Sequence, residues 1–69
     1  MSLLKRLMLN EYDVVRLKRT VPEVPLPQGS KGTVVYVYPA DPPGYEVEFI
    51  DEAGNTLGIY TVSGNDLEA

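Results

Sequence analysis

Glu46 and Glu48 stand two residues apart in YEVEFI (residues 45–50), and carboxylates at that spacing are the first place to look for acid–base chemistry. On a strand they share a face about 7 Å apart, a separation that invites comparison with the carboxyl pair of a glycosidase. A chain of 69 residues can hardly wall a substrate groove, however, and two glutamates on an outer strand face are ordinarily solvated. The rest of the chemical inventory is thin. There is no cysteine to serve as nucleophile, thiolate ligand or disulfide, and no histidine, the commonest metal ligand and neutral-pH base. DEAGN (51–55) gathers Asp51, Glu52 and Asn55 but lacks the ligand spacing of a calcium loop, and it reads as a hairpin turn. The expectation is a protein with no catalytic, cofactor or metal site.

The elements that would carry these residues are short strands. YDVVRLK (12–18) alternates, with Val15 and Leu17 on one face and Val14, Arg16 and Lys18 on the other. TVPEVPLPQGS (20–30) contains three prolines and a glycine, which exclude regular helix and ladder pairing, so it forms a long loop. Its Val21, Val24 and Leu26 are expected to fold back over the core. KGTVVYVY (31–38) follows, with Val35 and Val37 on an aliphatic face, Tyr36 and Tyr38 on an aromatic one, and Gly32 at a point of close backbone approach. YEVEFI sends Tyr45, Val47 and Phe49 inward; TLGIYTV (56–62) is a fourth strand with a bend or bulge at Gly58; LEA closes the chain. The expected core is Val15, Leu17, Val35, Val37, Val47, Phe49, Ile59 and Leu67.

Five short antiparallel strands with a long loop after the first make an SH3-like barrel of residues 12–69 the expected fold. An OB-fold would need a longer chain and a helix that cannot be placed. Residues 1–11 form a separate arm or short helix, in which Ser2 is a possible cap and Leu3, Leu4, Leu7 and Met8 share a face. Those leucines either cap the barrel or mediate association, so the expected state is a monomer or a weak homo-oligomer. No stretch is apolar for the roughly 18 residues a membrane span needs, and Lys5 and Arg6 break the only apolar opening, so a cytoplasmic protein is expected.

Charge bears on the partner. The net charge is −4, with ten acids against six bases, and residues 40–69 hold no lysine or arginine. Nucleic-acid binding needs phosphate neutralisation, which this balance opposes. QGSKGTVVYV is similar to the glycine-valine strand of KOW-motif barrels, so a KOW-like nucleic-acid-binding barrel is the alternative reading. A non-catalytic protein-binding module is the leading one. Its candidate contact residues are Pro22, Pro25, Leu26 and Pro27 of the stiff loop, the exposed aromatics Tyr36 and Tyr38, and the flanking acids Glu46 and Glu48. Acidic flanks favour a basic partner.

DVVRL, the proline-bearing loop, GTVV-VY, YEVEF-D-GNTL and the closing T---NDLE, in this order from residue 12 to the end, resemble a family of small bacterial proteins catalogued as domain of unknown function 4926. The resemblance implies an SH3-like fold and a bacterial, cytoplasmic setting. It brings no assigned activity, but an antitoxin- or immunity-like role beside a toxin-like partner is among the roles it suggests.

Overall fold

The computed structural model describes residues 9–69. Five strands form: β1 Val14–Leu17, β2 Lys31–Tyr38, β3 Gly44–Ile50, β4 Thr56–Ser63 and β5 Leu67–Glu68, with a 3-10 turn at Gly64–Asp66 before the last. Every pairing is antiparallel, and the strands lie side by side in the order β4-β3-β2-β1-β5. The domain is therefore mainly β, and this order is compatible with the SH3-like architecture expected from the sequence. β4 and β5 are the outer members of the hydrogen-bonded sheet. Most of the expected N-terminal arm, including Ser2, Leu3, Leu4, Leu7 and Met8, lies outside the described residues. Leu9 is half-buried against the core, and its N–H donates to the Tyr45 hydroxyl at 3.0 Å.

Alternation along β3 sets the core. Tyr45, Val47 and Phe49 are fully buried and meet Val15, Leu17, Val34, Val62 and Leu67 from the other strands. Removing the Phe49 ring from such a site costs about 3–5 kcal/mol, a large part of what a domain of this size has. The loop before β2 contributes too. Val21 and Val24 are buried, Leu26 packs behind them, and the turn is closed by bonds from Val24 N–H to Val21 C=O and from Leu26 N–H to Val24 C=O.

Two expected core residues are not where simple alternation puts them. The β2–β3 register runs Val34↔Val47 and then Tyr36↔Glu46, so Val35 is the extra residue of a bulge. The bulge buries Val34, leaves Val35 half-exposed and restores Val37 to the inner face. On β4 a second bulge separates Phe49↔Gly58 from Ile50↔Thr56, as Gly58 suggests. Gly58, Tyr60 and Val62 then face inward, and Ile59 points outward at 58% exposure. The inward set is disguised in the sequence because Gly58 presents no side chain: a Cβ there would lie 2.7 Å from the Tyr60 ring, which fills that space. Gly32 has a related reason. A Cβ on it would stand 2.5 Å from Val47 Cγ1 and 2.9 Å from the Glu48 carbonyl oxygen, so only glycine lets β2 lie this close to β3.

Candidate functional site

The same register that buries one face of β2, β3 and β4 exposes a coherent set on the other. Val14 pairs with Thr33, Thr33 with Glu48, and Glu48 with Ile59, giving one row across four strands. In the next row Tyr36 pairs with Glu46 and Glu46 with Thr61. Val14 is 54% exposed and Tyr36 51%, so apolar side chains occupy positions where a solvated face ordinarily carries polar ones.

Hydrogen bonds hold this face in place. The Tyr38 hydroxyl donates to Glu46 Oε2 at 2.8 Å, and the Thr61 hydroxyl donates to the other Glu46 oxygen at 3.0 Å. The Thr56 hydroxyl donates to Glu48 Oε2 at 2.6 Å. The Tyr36 and Tyr38 rings meet edge to face with centroids 4.8 Å apart, a favoured aromatic geometry. The bond to Glu46 pushes the Tyr38 phenol above its ordinary pKa, helped by partial desolvation and by the Glu46 charge. Among the described residues, the one ion pair joins Arg19 to Asp66, and none of the described lysines or arginines pairs with Glu46 or Glu48. The result is two carboxylates oriented by hydroxyls and bordered by tyrosine, isoleucine and valine.

The candidate contact residues divide between two places. Tyr36, Tyr38 and Glu46 come together, with Glu48 on the same face. Pro22, Pro25 and Pro27 are exposed but belong to the loop that enters β2 at Lys31, whereas the tyrosines lie toward its far end, roughly 16–23 Å along the strand. Leu26 and Pro27 instead line a shallow groove opposite the β3–β4 turn, with Gln28, Gly29, Asp51 and Glu52. Tyr60, the third tyrosine of β2–β4 outside the buried Tyr45, turns inward instead and packs on Phe49 with ring centroids 6.2 Å apart. Ile59 and Val14 are the members of the exposed face that the sequence does not single out. Val14 carries a signal, being an apolar residue in step with Arg16 and Lys18. Ile59 carries none without the β4 bulge.

DEAGN forms the expected hairpin turn. Asp51 Oδ1 accepts from the N–H groups of Ala53 and Asn55 at 2.9 and 2.8 Å, and Oδ2 accepts from the Asn55 side-chain amide at 3.2 Å. The Asn55 backbone and side-chain donors, followed by the amides of Ala53 and Gly54, hold the Asp51 carboxyl below the usual carboxylate range. Its oxygens are thus occupied in shaping the turn.

A family match extends over residues 11–69, taking in every strand and the whole exposed face. The chain belongs to the family described as Domain of unknown function (DUF4926). Within this DUF4926 domain the conspicuous sequence blocks sort by role: GTVV contributes Gly32 and Val34 to the packed interior, and YEVEF contributes alternately to the interior and the exposed face. No curated protein and no solved structure matches the chain. Among the described residues no helix is long and apolar enough to cross a membrane.

Proposed function

We propose that this protein is a non-catalytic binding module that recognises a basic, partly apolar segment of another protein on the outward face of β2, β3 and β4. The observation that carries the reading is the Tyr36–Tyr38 pair locked to Glu46 on an exposed face. Tyrosines anchor interfaces because they bury much area at small conformational cost, and pre-oriented acids favour a partner's lysine or arginine. An antitoxin- or immunity-like role fits a partner of that kind. Catalysis is not part of the reading, because both glutamates are half-exposed and already bonded to hydroxyl groups.

The charge layout weighs against the nucleic-acid alternative. Arg16 lies between Glu68 on β5 and Lys31 on β2, and its guanidinium donates to the Gly29 carbonyl at 3.0 Å. Arg19 is held by Asp66. Arg16 in the first strand and Arg19 just after it thus each have an acid beside them, which works against a continuous phosphate-binding stripe.

Capture from a lysate of the native host, with and without nuclease, tests the proposal when bound species are identified by mass spectrometry and sequencing. A specific protein should be retained after nuclease treatment, lost to the Tyr36→Ala/Tyr38→Ala variant by about thirtyfold or more in affinity, and kept by Pro25→Ala/Pro27→Ala. A partner indifferent to the tyrosines, or nuclease-sensitive capture with salt-dependent RNA binding, would overturn it.

A further inference from the structure

The two edges of the sheet are unlike. β5 has two residues, one of them Glu68. β4 has eight, Thr56–Ser63, with no charged residue and no proline. Natural edges are ordinarily kept short, charged or covered, because their unpaired N–H and C=O groups are templates for another strand.

The phase of the ladder shows which groups are unpaired. The Gly64 N–H donates to the Pro43 carbonyl at 2.8 Å, so the intervening pair Gly44↔Ser63 is a non-hydrogen-bonded one. Alternation then makes Tyr45↔Val62 and Val47↔Tyr60 the bonded pairs. The N–H and C=O groups of Ile59 and Thr61 therefore point away from β3, and among the described residues neither has a backbone partner.

We infer that this edge pairs with β4 of a second copy, antiparallel, about a two-fold axis at Tyr60. Ile59 then faces Thr61 of the other copy, and Thr61 faces its Ile59. These two bonded pairs satisfy four N–H and four C=O groups, while the half-buried Tyr60 rings of the two copies become neighbours. The register is self-complementary, as a two-fold contact must be. Charge permits it as well. Glu46 and Glu48 stay on β3, three strand spacings from those of the second copy, about 14 Å and beyond the screening length of about 8 Å at physiological salt. A single pair of short strands covers less than the roughly 1,200 Å² of a stable specific interface, so the dimer is weak and concentration-dependent. It also continues the tyrosine–glutamate face across two copies, although it stands or falls independently of what that face binds.

Sedimentation and backbone hydrogen exchange on the full chain, from about 10 μM to about 1 mM, test this together. The expected result is a mass rising from 7.6 kDa toward twice that value, with the Ile59 and Thr61 amides slowing in step. The Tyr60 and Val62 amides, bonded to β3 at every concentration, supply the internal control. Ile59→Lys, at an exposed side chain, should abolish the rise and leave the fold intact. A monomer throughout the range overturns the inference. So does a dimer that leaves the Ile59 and Thr61 amides unchanged or survives Ile59→Lys in a protein that still melts cooperatively.

Discussion

Within β2, β3 and β4, alternate residues of the same strands lead different lives. On the inner face Val34, Val47 and Phe49 are fully buried, and Tyr45 joins them with its hydroxyl bonded to Leu9. On the outer face Tyr36, Tyr38 and Ile59 are nearly as apolar yet exposed, and they share the surface with two glutamates held by hydroxyl donors. Hydrophobicity alone does not distinguish the two sets. The difference is that the inner set is enclosed by other apolar side chains, whereas the outer set is held by hydroxyl–carboxylate bonds and stays open to solvent. An ordered, exposed aromatic face is what the proposed binding role calls for, and the Tyr38–Glu46–Thr61 network supplies that order.

The strongest way to break this comparison is from the inside. Phe49→Ala should lose about 3–5 kcal/mol, read by urea or thermal unfolding, and leave little folded protein at ambient temperature. Gly32→Ala sharpens the same point through the backbone. The added methyl has no room between β2 and β3, and the cost should be about 1–3 kcal/mol, as for other overpacked interiors.

How far the sequence discloses this arrangement depends on which residues are considered. YEVEFI alternates so cleanly that its inner and outer faces are legible directly, and the loop valines, Val21 and Val24, are legible because apolar residues among prolines have nowhere else to go. Val35 and Ile59 are not legible, since a one-residue bulge shifts the inward phase of its strand, and although Gly58 hints at a bulge in β4, the apolar pattern does not say which phase follows it. The contact residues suffer for a different reason. Tyr36, Tyr38, Glu46 and Glu48 are recoverable from strand periodicity. The distance separating them from Pro22–Pro27 depends on where the long loop joins β2, which is a matter of topology.

Smaller effects probe the outer face and the turn by titration. The Tyr38 phenol should ionise above its ordinary pKa of about 10, and Glu46→Gln should bring that midpoint down, followed by tyrosinate absorbance at high pH. Because the folded-state pKa is raised, the contribution of this bond to stability is complete below the ordinary value and lost as pH rises through the folded one. Asp51 runs in the opposite direction. Its lowered pKa means that its support of the turn is complete above the ordinary value of about 3.9 and lost as pH falls through the lower folded value. The Ala53 and Asn55 amide resonances should report that midpoint, and Asp51→Asn should remove it.

The most direct test asks whether the outward tyrosines belong to the fold or only stand on it. Thermal melts of the Tyr36→Ala/Tyr38→Ala protein should fall by only about 4–8 °C, the scale of one lost surface pair, because the rings are half exposed and are not part of the buried cluster. A loss of stability comparable to that of Phe49→Ala would contradict the account, since the two faces would then do the same job.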